Sequence, residues 1–84
     1  MSHCWPDGLP IEVVCDPLEA PARLRLRGRW HTVVEITARW RVRRHWWRAP
    51  RWREYVTVAT ESRLLLTLVR ELPRGAWVVM VIFD

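Results

Sequence analysis

The residues best suited to chemistry are concentrated in residues 39–53, which read RWRVRRHWWRAPRWR. This segment holds seven of the fourteen arginines and four of the seven tryptophans, and it contains no acidic residue. Guanidinium groups bind phosphates, and indole rings stack on nucleobases. The segment therefore predicts contact with nucleic acid, although arginines also lie over aromatic rings on the outside of small sheets.

The positive charge of the chain is local. The formal net charge of +5 combines +7 within residues 39–53 with −2 in the remainder, where seven arginines face nine acidic residues. A local basic patch is expected to bind a polyanion such as nucleic acid, or an acidic protein surface.

Two interpretations of this segment remain open. In the functional one, the segment provides the contacts, with arginines on phosphates and Trp46, Trp47 or Trp52 stacked on bases. In the structural one, Trp40 and one of Trp46 and Trp47 fill the core, and the arginines lie over the other rings. The candidate contact residues are Arg43, Arg44, Trp46, Trp47, Arg48, Arg51, Trp52 and Arg53.

Other chemistries lack the residues they need. The potential metal ligands His3, Cys4, Cys15, His31 and His45 include no Cys-x-x-Cys and no His-x-x-x-His pair, so we predict no metal site. The acidic residues are scattered singly, neither serine lies in a nucleophile motif, and no glycine-rich phosphate loop is present. We therefore expect a protein that is not an enzyme, with no cofactor and no small-molecule substrate.

Length and hydropathy set the class of protein. Eighty-four residues are expected to form one domain, residues 11–84, preceded by a flexible leader, residues 1–10, that is rich in proline and glycine. The longest apolar run, residues 76–83, is far shorter than the roughly 20 residues of a membrane helix, so no membrane contact is expected. Neither an export signal nor paired cysteines are evident, which favours free thiols and a cytoplasmic location.

Strand-like patterns dominate the domain. Short β-branched or alternating runs predict strands at 11–15, 23–27, 30–42 and 52–60, with a loop at 16–21 and Gly28 permitting a bend. The run 30–42 is long for one strand, so a bulge is expected near Thr37 and Ala38. Its alternation places Trp40 and Val42 in the core. Residues 44–50 break the alternation and predict a connection, because Pro50 cannot donate to a ladder.

The C-terminal third completes the predicted sheet. Residues 63–72 fit either a helix or a strand, and we favour the strand because it would pair with the confident last strand, residues 76–83, across a turn at 73–75. The fold class is therefore all-β, with five or six antiparallel strands in meander order forming a twisted sheet or a partly open small barrel. The last strand is apolar on both faces, so either the sheet closes on itself or, if it stays open, a second copy of the chain covers Val78, Met80 and Ile82.

Several motifs together resemble a known family. They include Arg27-Gly28-Arg29, Trp40 ten residues after Trp30, and the pair Trp46-Trp47. These motifs are similar to those of a small bacterial family of unknown function, found alone and at the C-terminal end of inactive Y-family polymerase-like subunits of the mutasome. The resemblance implies an accessory role in DNA damage tolerance and no catalytic residue. Arg43 and Arg44 stand where acidic residues are common in that family.

Overall fold

The protein forms a single antiparallel sheet of strands without a helix in the part of the chain that is described. The computed structural model describes residues 3–46, 49–72 and 75–83, with the backbone alone at 6, 7, 44–46 and 49–51. The strands are β1 His3–Pro10, β2 Glu12–Cys15, β3 Pro21–Leu26, β4 Arg29–Trp46, β5 Ala49–Thr60, β6 Leu65–Leu72 and β7 Val78–Phe83.

The spatial order of the seven described strands is β1-β7-β6-β5-β4-β3-β2. From β2 to β7 each strand pairs with the next one along the chain, so the predicted all-β meander is confirmed. The predicted strand in residues 63–72 is also confirmed, as β6. The additional strand is β1, which lies beside β7 at the far edge of the sheet.

The prediction of a leader without regular structure is wrong for residues 3–10. These residues form an edge strand, where only one side of the backbone is paired and prolines are therefore tolerated. The ladder shifts register between Cys4 and Leu9. Gly8 adopts a positive φ of 80°, and a Cβ atom there would lie 2.5 Å from Cγ2 of Val78. Only glycine fits this close approach of β1 to β7.

The two edges of the sheet meet at one end. Ile11 alone separates β1 from β2, so the Cα atoms of Pro10 and Glu12 are at most about 7.6 Å apart. The Ile11 amide also donates to the Trp77 carbonyl at 3.2 Å. The sheet must therefore curl, yet no ladder joins β1 to β2 in the described residues, and the sheet stays open.

Curling brings β3 over the centre of the sheet and creates the core. The alternation predicted for residues 23–27 is confirmed, because Leu24 and Leu26 are buried and the arginines beside them are exposed. We call the side of the sheet that carries this core the inner face, and the opposite side the outer face. The buried apolar cluster consists of Leu24, Leu26, Val56, Val58, Leu66, Leu68, Trp77, Val79 and Ile82.

The longest strand, β4, contributes little to this core. The sequence placed Trp40 and Val42 in the core, but they are 42% and 41% exposed, so this prediction is wrong. Register shifts between Val33 and Glu35, and between Ile36 and Ala38, each reverse the alternation and together cancel, so Trp40 and Val42 share the outer face with Trp30. The second shift confirms the bulge expected near Thr37. Beyond Thr32, β4 pairs with no described residue of β3, and residues 34–43 are exposed.

The turns use positive φ at positions that the sequence only partly indicated. Arg27 and Gly28, at φ 53° and 77°, form the two-residue turn between β3 and β4. Two consecutive positive φ values match the tight turn that suits the twist of a hairpin. Between β5 and β6 the positive φ falls on Arg63, at 65°, rather than on Glu61 or Ser62.

Candidate nucleic-acid interface

The arginine-rich and tryptophan-rich segment forms the end of the β4–β5 hairpin. We call this part the ribbon, meaning residues 39–46 of β4 and 49–53 of β5. The last pair between β5 and β6 is Trp52 with Leu72. Beyond it, residues 44–46 and 49–51 pair with each other and with no other described residue. The ribbon therefore projects past β6 as two strands.

Residues 44–46 and 49–50 belong to strands, so the predicted connection is wrong there. Trp47 and Arg48 lie outside the described residues. His45 pairs with Pro50, and Trp46 pairs with Ala49. Among the described residues β5 has one neighbouring strand at Pro50, and such edge positions are where proline is found in sheets. The alternation breaks in the sequence here, but the backbone pairing continues.

At the base of the ribbon a buried carboxylate holds arginines from the neighbouring strands. Glu54 is 0% exposed and lies on the inner face, in phase with Val56. Its Oε2 atom accepts hydrogen bonds from Nη2 of Arg39 and Nε of Arg41, each at 3.1 Å. Its Oε1 atom accepts from Nε of Arg70 at 3.2 Å and lies 3.0 Å from Nη2 of the same residue. Glu54 thus links β4, β5 and β6.

Two opposing effects act on the pKa of Glu54. Burial alone raises it, but hydrogen bonds from Arg39 and Arg41 and the charges of Arg39 and Arg70 outweigh burial. The pKa therefore lies below its ordinary value, and the group is a carboxylate at neutral pH. A single negative charge is shared by the arginines around it, which leaves the cluster with a net positive charge.

The arginines of this cluster differ in exposure. Arg70 is mostly buried, with its Cζ atom 4.6 Å from the centroid of the buried Trp77 ring. Arg41, in contrast, has a side chain that is 56% exposed. Arg70 therefore belongs to the structural base of the site, and Arg41 presents its charge to water while Glu54 holds its Nε atom.

The inner face of the ribbon continues outward from Glu54. Arg43 pairs with Trp52, and both lie in phase with Arg41 and Glu54. Arg43 is exposed, and Trp52 is 42% exposed. An exposed indole ring beside exposed guanidinium groups can stack on a base while the arginines contact its phosphates.

The outer face of the ribbon is more apolar. Trp40 stacks on Tyr55 with ring centroids 5.2 Å apart and an angle of 4° between the planes. Arg53 lies on this side and pairs through Nη2 with Oε1 of Glu71 at 3.3 Å. Arg53 is therefore occupied within the sheet, whereas Arg43 on the inner face has no acidic partner among the described residues.

The predicted contact residues are thus separated by the fold. Arg43 and Trp52 share the inner face, and Arg53 lies on the other side. The backbone places Arg44, Trp46 and Arg51 at the projecting end, and Trp47 and Arg48 lie outside the described residues.

The predicted dimer face is altered by a bulge in β7. Thr67 pairs with Val81 and Leu68 pairs with Val79, so Met80 is an extra residue. The extra residue reverses the alternation and turns Ile82 into the core, where it is 4% exposed. Ile82 therefore cannot belong to an outer surface, while Val78 and Met80 remain half-buried.

Sequence reasoning missed the role of Glu54. The available signal was its position two residues before Val56 and four before Val58, in the phase that the sheet buries. A carboxylate in a buried phase requires cationic partners, and the neighbouring strand supplies them in alternation at 39 and 41. Arg70 lies too far along the chain for spacing alone to assign it.

The described residues contain no helix long and apolar enough to cross a membrane, and no group of three or more potential ligands that could hold a metal ion. Comparisons with protein-family models, with curated proteins and with solved structures give no significant match to this chain.

Proposed function

We propose that this chain is a non-enzymatic module that binds nucleic acid through the ribbon. The observation that carries the proposal is the projection of the ribbon past β6, with Arg41, Arg43 and Trp52 exposed together on its inner face. A basic surface of this kind attracts phosphates, and the exposed ring offers a surface for a base.

The dimensions of the ribbon favour a duplex as the ligand. Arg43 is the last β4 residue that lies level with β6, because its partner Trp52 pairs with Leu72. Residues 44–46 extend beyond it by about 10 Å, at about 3.4 Å per residue. The major groove of B-form DNA is about 8.5 Å deep and about 12 Å wide, and it admits a two-stranded ribbon. The projecting end is therefore the right size to enter that groove, with the inner-face arginines of its base against the phosphates.

Glu54 supports this role by ordering the base of the ribbon. A long arginine side chain loses conformational freedom when it contacts a phosphate, and that loss weakens binding. Hydrogen bonds to Glu54 already restrict Arg39 and Arg41 before any ligand arrives. The cluster keeps an excess of positive charge, so the restriction does not remove the attraction for phosphates.

The role in DNA damage tolerance implied by the family resemblance is part of this proposal. A small module without catalytic residues would act there by holding a partner or a larger chain on DNA. In this proposal the protein acts with DNA in the cytoplasm of a bacterial cell.

The test is the binding of a fluorescently labelled DNA duplex, followed by anisotropy over a range of salt concentrations. We expect the affinity for the duplex to fall steeply as the salt concentration rises. The double variant Arg43→Gln/Arg44→Gln should reduce the steepness of the plot of log affinity against log salt concentration by about 2, which is about 1 for each lost phosphate contact. The matched control Arg25→Gln/Arg63→Gln removes the same charge away from the ribbon and should leave the slope nearly unchanged. The proposal fails if the duplex does not bind at low salt, or if both double variants weaken binding equally.

A second function is favoured by the outer face. One row of paired residues across four strands, Trp40, Tyr55, Val69 and Val78, contains no charged side chain, and its accessible part is Trp40 with the half-buried Tyr55 and Val78, since Val69 is 3% exposed. An uncharged row can face a copy of itself without repulsion, as a two-fold interface requires. Homodimerisation through this face, with Met80 at its margin, is therefore the alternative proposal.

A further inference from the structure

A cleft lies at the opposite end of β4 from the projecting end of the ribbon. Its volume is about 320 Å³. This is near the lower limit of the range typical of small-molecule sites, about 300 to 1,000 Å³. We call it the basic cleft, and the described residues that line it are His3, Leu26, Arg27, Arg29, His31, Leu64 and Ile82.

The rim of the basic cleft is cationic. Arg27 and Arg29 flank the glycine of the β3–β4 turn, and both are exposed. Among the described residues neither guanidinium has an acidic partner within 4.0 Å, and no acidic residue of the described chain lines the cleft. Two cations in a concave site, without an anion to balance them, attract an anionic ligand.

One imidazole on the rim is already oriented. Nδ1 of His31 lies 2.6 Å from Oγ of Ser62, and that oxygen lies 2.9 Å from Oγ1 of Thr60. These hydrogen bonds fix the ring on its Nδ1 side, so Nε2 is the polar atom that remains for a ligand. Such an arrangement differs from a freely moving surface histidine, because the ring need not be ordered on binding.

The floor of the basic cleft is apolar. It consists of Leu26, Leu64 and Ile82, of which the first and last belong to the buried core. Inorganic ions gain nothing from such a floor, whereas an organic group would bury apolar surface on it. The ligand is therefore expected to combine an anionic group with an apolar one.

We propose that the basic cleft binds a small organic phosphate. A phosphate monoester carries about −1.5 to −2 charges at neutral pH, which matches the charges of Arg27 and Arg29 better than a single carboxylate does. Its oxygens accept hydrogen bonds from both guanidinium groups and from His31, and its organic part lies on the apolar floor. This site is independent of the ribbon.

The probe is phenyl phosphate, titrated into the full chain by calorimetry. We expect saturable binding of one molecule per chain, weaker binding of inorganic phosphate, and no binding of phenol. Arg27→Asn and Arg29→Gln should each weaken binding about tenfold or more, since each removes a charged donor pair. Asparagine is chosen at position 27 because it tolerates the positive φ of that turn.

The control variants separate this site from the ribbon. Arg25→Gln removes an arginine outside the basic cleft, and Arg43→Gln/Arg44→Gln removes two from the ribbon, so both should bind phenyl phosphate as the wild type does. An excess of DNA duplex should not displace the probe. The proposal is overturned if phenyl phosphate shows no saturable binding, or if inorganic phosphate binds as tightly. It is also overturned if Arg25→Gln weakens binding as much as Arg29→Gln does. Loss of phenyl phosphate binding in the ribbon variant, or displacement of phenyl phosphate by duplex, would overturn it as well.

Discussion

Individual tryptophans take different roles that their positions in the sequence do not reveal. Trp77 is 8% exposed and packs in the core under Arg70, whereas Trp40 and Trp52 are each 42% exposed. The difference follows from position within the sheet. Trp77 directly precedes β7 and belongs to the core cluster with Leu24 and Leu26, whereas Trp52 lies opposite Leu72, the last residue of β6.

This contrast predicts the stability of two alanine variants. Trp77→Ala should lower the free energy of unfolding by about 3 to 5 kcal/mol, because it removes a large buried ring. Trp52→Ala should change it by less than about 1 kcal/mol, as is usual for exposed positions. Urea denaturation measures both. A loss for Trp52→Ala as large as that for Trp77→Ala would show that the Trp52 ring is a packing residue and not a surface for bases.

The buried Glu54 links three strands and is therefore best understood at the scale of elements. Its partners come from β4 on one side and from β6 on the other. A lone buried carboxylate would be costly, and the loss of one partner of a buried ion pair is strongly destabilising. The cluster thus ties the base of the ribbon to the sheet.

Glu54→Gln should destabilise the protein by about 2 kcal/mol at neutral pH. Breaking a fully buried ion pair costs roughly 3 to 5 kcal/mol, and the loss is smaller here because Arg39 and Arg41 keep access to water. The pKa of Glu54 is lowered in the folded state, so its stabilising effect is complete above the unfolded value of about 4.3. As the pH falls below that value, the unfolded state takes up the proton first and the stabilisation is lost.

The measurement is the free energy of unfolding from pH 7 down to the acid range. The gap between wild type and Glu54→Gln should narrow below about pH 4.3. The exposed residue Glu61 provides a control, since Glu61→Gln should differ little from wild type at any of these values. A gap that stays constant as the pH falls would mean that the charge of Glu54 does not stabilise the fold.

The bulges of β4 also act at the scale of elements. The strand runs for 18 residues, and beyond Thr32 its side facing away from β5 pairs with no described strand. A long flat edge invites pairing with other chains, and bulges and charged residues oppose this. Two register shifts and the arginines at 39, 41 and 43 provide both features. The same residues that form the ribbon thus discourage aggregation at its edge.

At the scale of the whole molecule the outer face determines the oligomeric state. If the uncharged row pairs with a second copy through Trp40 and Tyr55, the protein should sediment as a dimer at micromolar concentration. Added salt should not dissociate it, since burial of apolar surface holds it together. Met80→Glu places a charge at the margin of that face and should yield monomers, while Val34→Glu on β4 should not. Sedimentation of the wild type as a monomer would contradict the alternative function.

Much of the fold could be predicted because alternation is a local property. The strands at 23–27 and 63–72, the last strand and the bulge near Thr37 each follow from residues within a few positions of one another. The meander order follows because short connections favour pairing between consecutive strands. The segment rich in arginine and tryptophan was likewise visible in composition alone.

The burial of particular side chains was decided by the tertiary structure. The bulge in β7 moves Ile82 to the inner face and buries it, whereas the two bulges in β4 cancel and leave Trp40 on the outer face with Trp30. Pairing at the edge turned residues 3–10 into a strand although prolines weaken it locally. The single residue Ile11 between β1 and β2 brings the two edges of the sheet together, a contact that no local pattern indicated.

By itself, the sequence determined the fold class, the order of most strands and the position of the basic segment, because these depend on local periodicity and composition. Only the tertiary structure decided that Glu54 gathers arginines from two neighbouring strands, that Arg43 and Trp52 face the same side, and that the ribbon extends past β6. Those facts depend on the register between strands, and register is set by contacts across the sheet that no local pattern specifies.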